Sequence, residues 1–250
     1  MMDFKNYSVV VTGGSRGIGR AIAAGFAQLG ARVSVCGRDK TALAETENAI
    51  AAHSRAHVAV CDLTDPAAIK KYISDAAEDL GGIDVLVNNA SSFSRSDDED
   101  GWAGAFNTDM MAVVRASAAA EPWLAQSKRH PSIVHISSIS AFHPTPRAAP
   151  YGAIKAAIVH YTQSQAARLG TQGIRVNSVA PGSITFPGHF WEERKARNDQ
   201  HYLNMVAKIP AGRLGTPDEV ADVVLFFASP LARWVTGQTI MVDGGQELSD

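Results

Sequence analysis

Short apolar runs alternate with longer amphipathic stretches along almost the whole chain, and this alternation limits the possible folds more than any other feature. The apolar runs, rich in β-branched residues, predict seven strands at 7–12, 32–36, 57–61, 83–87, 132–137, 174–179 and 238–242. The stretches between them predict helices at about 18–29, 40–52, 66–80, 102–127, 151–169 and 217–228. Strands that are apolar on both faces and separated by helices form a parallel sheet covered on both sides. The sequence therefore predicts a doubly wound α/β fold around a seven-stranded parallel sheet.

We expect residues 1–250 to form a single domain, because no repeat or low-complexity linker interrupts this alternation. The one long departure follows the sixth strand, and it predicts a substrate lid inserted at about 183–210. The aromatic side chains in and around this insertion either line a pocket for a bulky apolar or cyclic substrate or pack beneath the lid itself. They belong to Phe93, Phe142, Phe186, His189, Phe190, Trp191 and Tyr202.

Composition and charge argue against several classes of protein. Hydrophobic residues make up 46% of the chain and charged residues 19%, with a net charge of -2, so nothing favours a nucleic acid or an anionic membrane as a partner. The amino terminus has neither the apolar core of a secretory signal nor the length of a membrane span, and we expect a cytoplasmic protein. Cys36 and Cys61 are expected to be buried thiols in a reducing compartment. The histidine spacing predicts no metal site.

Three glycines, Gly13, Gly17 and Gly19, stand between the first strand and the first helix. A dinucleotide pyrophosphate binds to the unpaired N–H groups at a helix start when residues without Cβ let the backbone come close. A P-loop would need lysine followed by serine or threonine after the glycines, where this chain has Arg20 and Ala21. The pattern therefore predicts a Rossmann-type dinucleotide site and argues against phosphoryl transfer.

The end of the second strand indicates which dinucleotide binds. A carboxylate there would hold the adenosine ribose as a diol, whereas an arginine accommodates a 2′-phosphate. Arg38, with Arg16 from the glycine turn nearby, favours NADP(H) over NAD(H). Asp39 is the competing signal, and we expect it to cap the helix that follows.

A second cluster of polar residues lies around the fifth strand and the long helix after it. Tyr151 and Lys155 are four residues apart near the start of that helix, and hence on one face. A tyrosine has a pKa of about 10, and a neighbouring cation is expected to lower it toward neutrality. Ser137 and Ser138 end the fifth strand at the carboxyl edge of the sheet, where a hydroxyl can hydrogen-bond a substrate oxygen.

Taken together, these motifs resemble those of the short-chain dehydrogenase/reductase family, in particular its 3-oxoacyl-ACP reductases, from about residue 7 to 245. The resemblance is carried by Thr12-Gly13-x-x-x-Gly17-x-Gly19, Asp62 in CDLTD, Asn88-Asn89-Ala90, Ser138, Tyr151-x-x-x-Lys155, Pro181-Gly182 and the closing segment from GRLGTPDEVA to IMVDGG. It implies that Tyr151 is the general acid/base, that Ser138 polarises the carbonyl, and that Lys155 holds the nicotinamide ribose and lowers the tyrosine pKa. It further implies cofactor contacts from Thr12, Gly13, Ser15, Arg16, Gly17, Ile18, Gly19, Arg38, Asp62, Leu63, Asn89, Ala90, Tyr151, Lys155, Pro181, Gly182 and Ile184.

The chain departs from the family pattern at two positions. Asp109 stands where the family usually has an asparagine that contributes to a proton relay, seven residues after Trp102. If the relevant group is the backbone carbonyl, Asp109 should serve as well as asparagine. If it is the side chain, its negative charge should oppose the effect of Lys155 and leave Tyr151 less acidic. Phe186 replaces a common threonine that contacts the nicotinamide amide, with Thr185 beside it as a substitute.

Three functions remain open at this stage. The first is an NADP(H)-dependent oxidoreductase that transfers a hydride between nicotinamide and a carbonyl or secondary alcohol substrate, including 3-oxoacyl thioesters. The second is an NAD-dependent dehydrogenase of a hydroxy or dihydrodiol compound, and the third is a catalytically weak dinucleotide-binding sensor. The resemblance also implies a homotetramer or homodimer.

Overall fold

Seven strands form the sheet, and each begins and ends within two residues of its predicted range in the computed structural model, which describes residues 2–248. They are β1 (Ser8–Thr12), β2 (Arg32–Gly37), β3 (Ala56–Val60), β4 (Val85–Asn88), β5 (Ser132–Ile136), β6 (Arg175–Pro181) and β7 (Thr239–Val242). All neighbouring strands are parallel, in the order β3-β2-β1-β4-β5-β6-β7. The predicted doubly wound fold is confirmed.

Helices cover both faces of the sheet. They are α1 (Gly17–Gln28), α2 (Lys40–Ala51), α3 (Pro66–Leu80), α4 (Glu99–Ala105), α5 (Ala112–Leu124), α6 (Ala149–Leu169), α7 (Phe190–Ala196), α8 (Gln200–Ala207) and α9 (Pro217–Ala228). None of the helices in residues 2–248 combines the length and apolar character needed to span a membrane.

The central strands are apolar throughout because both of their faces are buried. In β1, Val9 and Val11 belong to the same core as Phe26 of α1 and Val224 of α9. Val10 points to the opposite face and belongs to the second core, with residues of α3, α5 and α6. All three valines are fully buried, which explains why this strand shows no alternation of polar and apolar residues.

The helix predicted at about 102–127 differs from the observed one in both its start and its regularity. It begins at Glu99, because Asp98 caps it by accepting a hydrogen bond from Gly101 N at 2.8 Å. A π-helical segment, Phe106–Met111, separates α4 from α5 and contains Asp109. Such segments are rare and often occur at functional sites.

The order of the strands places a crevice at the carboxyl edge of β1 and β4. The chain crosses from β1 to β2 on one side and from β3 to β4 on the other, so the loops after β1 and β4 diverge. Ligands of open α/β sheets bind at this kind of switch point. The glycine turn follows β1, and the loop before α4 follows β4.

Candidate active site

The glycine turn after β1 is tied to the end of β4 by hydrogen bonds. Asn89 Nδ2 donates to the carbonyl oxygens of Thr12 at 3.1 Å and Gly13 at 2.8 Å, while Thr12 Oγ1 accepts from Asn89 N at 3.1 Å. A Cβ atom at Gly19 would overlap the Asn89 amide and the Gly13 carbonyl. The absence of a side chain at Gly19 is therefore required by contacts within the protein itself, before any ligand is considered.

The start of α1 is open to an anion. Its N-cap residue, Arg16, makes no side-chain capping hydrogen bond, and the first turn of the helix contains no acidic residue. Gly17, the first helical residue, has φ of 54°, a conformation that suits glycine. Because the first N–H groups of a helix have no partner within it and carry partial positive charge, this turn fits a pyrophosphate.

A groove of about 270 Å³ runs from this turn along the carboxyl ends of β2, β3 and β4. Of the residues expected to bind cofactor, it is lined by Gly13, Ser15, Arg16, Gly17, Ile18, Gly19, Arg38, Asp62, Leu63, Asn89 and Ala90. It is also lined by residues that the sequence interpretation did not select, namely Gly37, Cys61, Thr64, Ser91, Thr108 and Phe186. Four of them, Gly37, Cys61, Thr64 and Ser91, are adjacent in the chain to a residue that was expected to bind cofactor, and this proximity is the signal that could have found them.

At the end of β2, Arg38 and Asp39 were the two candidates to contact the adenosine ribose, and they have different surroundings. Asp39 Oδ1 accepts from Thr41 N at 2.9 Å and Ala42 N at 3.1 Å, so its carboxylate caps α2 as expected. Arg38 is exposed in the groove. The pKa of Asp62 is lowered, first by hydrogen bonds from Thr64 and to a smaller extent by the charge of Arg38. The basic side chain, and not the carboxylate of Asp39, is therefore available at the end of β2.

The strand segment after β6 lies against β7 rather than in the groove. Pro181 ends β6, and Gly182 N donates to Val242 O at 2.9 Å. Ile184 is 6% exposed and pairs with Gly215 in an isolated β-bridge. Phe186, two residues further along, does reach the groove, and its ring lies over Gly17. These positions leave the predicted cofactor contacts of Pro181, Gly182 and Ile184 untested.

Tyr151 and Lys155 lie on one face of α6, as their spacing predicts. The Lys155 Nζ atom is 5.5 Å from the centroid of the Tyr151 ring and donates to the Ile136 carbonyl at 3.0 Å. Lys155 is 2% exposed, so this cation is held in place beneath the tyrosine. Two serines at the end of β5 play different parts: Ser137 Oγ donates to the Lys155 carbonyl at 2.9 Å, while Ser138 Oγ accepts from Ser140 N at 3.1 Å.

The prediction that the pKa of Tyr151 is lowered is wrong for the protein without a bound cofactor. Burial raises the pKa of Tyr151 to about 12, although its hydrogen bond with Ser138 lowers it and the charge of Asp109 raises it further. Burial also lowers the pKa of Lys155, while Asp109 raises it. The cost of placing a phenolate in a buried site outweighs the effect of the Ser138 hydrogen bond.

Asp109 is fully buried beside this site. Its two carboxylate oxygens accept from Ser92 N at 2.7 Å and Ser92 Oγ at 2.9 Å, so it fixes the loop after β4. Its charge raises the pKa values of both Tyr151 and Lys155, as the sequence hypothesis requires. Asp109 lies in the π-helical segment, and its charge acts on Tyr151 and Lys155.

We predict that Asp109→Asn lowers the pKa of the basic group in the pH profile of kcat/KM, because it removes a negative charge that favours the protonated phenol. The asparagine still accepts one hydrogen bond from Ser92, so the loop should keep its position. Asp97→Asn, at an exposed residue whose carboxylate contacts Trp102, is the matched control. An unchanged or raised pKa in Asp109→Asn would contradict the prediction.

The segment predicted as a lid contains α7 and α8, and its aromatic residues divide into two groups. Trp191 is 5% exposed and packs with Ile209, Leu214 and Tyr202 beneath the lid itself. His189 and Phe190 belong to a continuous run of rings that begins at Phe186 in the groove. Phe93 lies edge-on to Tyr151 with ring centroids 4.8 Å apart. Packing beneath the lid is therefore confirmed for Trp191 and Tyr202, and a substrate-lining role for the other aromatic residues stays a prediction.

No group of three or more His, Cys, Asp or Glu side chains within residues 2–248 is arranged to hold a metal ion. Cys36 and Cys61 are buried free thiols. The carboxyl edge of the sheet thus holds a groove at the start of α1, together with Ser138, Tyr151 and the buried Lys155.

Comparison with known proteins agrees with this arrangement. A family model described as "Enoyl-(Acyl carrier protein) reductase" matches residues 13–247. Isoepoxydon dehydrogenase patN of Aspergillus clavatus is 38% identical over 253 aligned positions, covering 97% of this chain and 95% of that protein. The 3-oxoacyl-[acyl-carrier-protein] reductase FabG of Escherichia coli is 34% identical, covering 98% of both chains.

Solved structures give the same result. A putative short-chain alcohol dehydrogenase from Sinorhizobium meliloti superimposes with a TM-score of 0.90 at 33% identity, covering 99% of each chain. An NADPH-bound short-chain oxidoreductase from Pseudomonas aeruginosa, described as containing an atypical catalytic centre, has a TM-score of 0.87 at 30% identity, covering 97% of this chain and 98% of that one. The chain belongs to the short-chain dehydrogenase/reductase family. It is an oxidoreductase that acts on alcohol or ketone groups with a nicotinamide cofactor.

Proposed function

We propose that the chain is an NADP(H)-dependent carbonyl reductase in which Tyr151 transfers the proton, Ser138 polarises the substrate carbonyl and Lys155 positions the nicotinamide ribose. The observation that carries this proposal is the placement of Tyr151, above a buried Lys155 and in hydrogen bond with Ser138, at the same sheet edge as the open start of α1. A bound nicotinamide dinucleotide would supply the hydride, and the protein supplies position and the proton.

The high pKa of Tyr151 suits the proposed role of proton donor. A phenol with a pKa of about 12 is protonated at neutral pH and serves as a donor to the oxygen that accepts negative charge when a carbonyl is reduced. Ser138 also lies where it can hydrogen-bond the same oxygen, since its side chain contacts the phenol. A protonated phenol beside Ser138 therefore supports a site with turnover on a carbonyl or alcohol group over a sensor without turnover.

The preference for NADP(H) is proposed from the two arginines at the groove. Arg38 and Arg16 both line it, and the carboxylate that would bind a ribose diol is engaged in capping α2. A planar guanidinium group binds a phosphate through paired, charge-assisted hydrogen bonds.

Arg38→Gln is therefore expected to weaken NADPH binding roughly 10- to 100-fold, as the loss of a hydrogen bond between charged groups would. NADH binding should change less than about threefold. The measurement is a fluorescence titration of each protein with NADPH and with NADH. Arg20→Gln is the matched control, because Arg20 is partly exposed on α1 and pairs with Glu45. Tighter binding of NADH than NADPH to the unmodified protein would contradict the assignment.

We also propose a cytoplasmic homotetramer or homodimer that acts on a small-molecule carbonyl substrate. The two unpaired thiols are consistent with a reducing compartment. Support for self-association comes from apolar side chains left partly exposed on the helix before α5 and on the edge strand, namely Trp102, Phe106, Ile240 and Met241.

A further inference from the structure

A positively charged side chain lies between two aromatic rings next to the proposed acid/base. The guanidinium carbon of Arg95 is 4.7 Å from the centroid of the Phe93 ring and 5.4 Å from that of Phe190. Phe93 and Arg95 belong to the loop between β4 and α4, while Phe190 begins α7. We call these three residues the arginine clamp. Cation–π contacts with both rings therefore connect the loop to the lid through the guanidinium group.

The clamp borders the reacting group directly. The Phe93 ring is edge-on to Tyr151, at 4.8 Å and 78°. Phe93 has φ of 50°, in the left-handed region that residues with side chains rarely adopt. Ser92, the residue before it, is fixed by both oxygens of the buried Asp109. The loop thus holds an unfavourable backbone conformation at Phe93. This conformation brings the Phe93 ring to Tyr151, and Arg95 contacts that same ring.

The charge of Arg95 is not balanced by a carboxylate in residues 2–248, where it takes part in none of the ion pairs. The nearest acidic residues along the chain are engaged elsewhere: Asp97 accepts from Trp102 Nε1 at 2.9 Å, and Asp98 caps α4. On the lid side, burial lowers the pKa of His189, and the charges of Arg16 and Arg95 lower it further. The charges of Arg16 and Arg95 therefore both act on the lid side of the groove.

We propose that Arg95 determines specificity by binding an anionic group of the substrate, so that the substrate class is a compact ketone or secondary alcohol carrying a carboxylate. This inference rests on the carbonyl reductase activity proposed above. A guanidinium group is planar and presents its N–H groups as a fork to a carboxylate. Phe93 and Phe190 would contact the carbon skeleton, while the carbonyl oxygen reaches Tyr151.

The test compares 4-oxocyclohexanecarboxylate with its methyl ester, which has the same ring and ketone without the charge. With NADPH, the unmodified protein should reduce the acid with a kcat/KM at least roughly tenfold above that of the ester. Arg95→Gln should remove this preference by raising KM for the acid with little change in kcat, because the lost interaction is the same in the ground and transition states. Arg95→Lys should retain part of it, and the ester should respond little to either change.

Arg197→Gln is the matched control, because it removes a positive charge from an exposed position at the end of α7. It should leave both substrates unaffected. An acid no better than its ester, or an Arg95→Gln variant that loses activity on both equally, would overturn the proposal and leave Arg95 as a contact that only holds the lid.

A separate measurement distinguishes failure of the anion site from failure of the proposed reductase activity. If neither substrate is reduced, calorimetric titration with cyclohexanecarboxylate, which has no ketone, still measures the anion site. Binding that Arg95→Gln weakens roughly tenfold or more supports the site without the activity. Absence of binding, or binding unaffected by the substitution, overturns the site as well.

Discussion

Tyr151→Phe is expected to lower kcat for ketone reduction by about a thousandfold, within the range of 10² to 10⁴ that general acid–base catalysis contributes. The variant loses only the hydroxyl group, so the packing of the ring against Phe93 and over Lys155 should remain. Without the phenol, no protonated group lies next to Ser138 to neutralise the developing alkoxide. Single-turnover reduction of a ketone with NADPH measures the effect.

The matched control for this experiment is Tyr161→Phe on the same helix. Tyr161 is partly buried and packs against His135, away from the groove, and its hydroxyl accepts from Gln165 at 3.4 Å. This control should keep near-normal turnover, and both variants should bind NADPH as the unmodified protein does. Undiminished turnover in Tyr151→Phe would remove the tyrosine from the mechanism, whereas loss of NADPH binding would indicate a structural defect.

The second large effect is a loss of stability in acid caused by a histidine in the core. His135 is fully buried in β5, where its Nε2 atom bonds with Gln165 Oε1 at 2.9 Å and its Nδ1 atom with Asn88 Nδ2 at 3.1 Å. The contact with Asn88 Nδ2 requires an unprotonated Nδ1. Burial lowers the pKa of His135 to about 4 from its ordinary value of 6.5, while Gln165 raises it and the charge of Lys155 lowers it.

The direction in which stability changes with pH follows from the number of protons that the folded and unfolded states bind. Between pH 6.5 and 4 the unfolded chain binds a proton at His135 that the folded protein does not, so stability is present above this window and is lost as pH falls through it. From these pKa values the loss between pH 7 and pH 5 is about 2 kcal/mol.

His135→Asn should reduce this pH dependence while lowering stability at neutral pH, because the asparagine cannot fill the same space. Urea unfolding at both pH values measures the difference. His160→Asn, at an exposed position of α6, removes one histidine without removing the buried one and should keep the full pH dependence. Equal pH dependence in the two variants would show that His135 is not the source.

Most of the fold could be predicted from the sequence, because strands buried on both faces are apolar throughout. Val9, Val10 and Val11 are predictable for that reason, and the caps at Asp39 and Asp65 follow from local hydrogen bonding that needs no tertiary information. The end of α6 shows the limit of such local signals, because a glycine that follows the last apolar residue of a helix, as in Leu169-Gly170, is typical of a left-handed helix end. Gly170 has φ of -57° and continues into a 3₁₀ turn, and the left-handed residue is Gly173. Where a helix ends among several glycines depends on what the next strand must pair with.

At the site, the sequence predicted which residues share a helix face but not the pKa of the tyrosine. The spacing of Tyr151 and Lys155 placed them on one helix face, but the pKa of the phenol depends on burial that the spacing does not report. The π-helical segment at Asp109 and the placement of Arg95 between two rings depend on contacts between segments far apart in the chain. Phe186 was noted as a departure, yet its position over Gly17 follows only from the path of the chain after β6.

The central claim is that one sheet edge holds the dinucleotide and the proton donor together. A crystal structure of the protein with NADP⁺ tests this most directly. We predict that the pyrophosphate lies at the start of α1, that the Phe186 ring has moved from Gly17, and that Tyr151 Oη and Ser138 Oγ face the same side of nicotinamide C4. A nicotinamide ring bound away from Tyr151, with the phenol turned from the groove, would contradict the account.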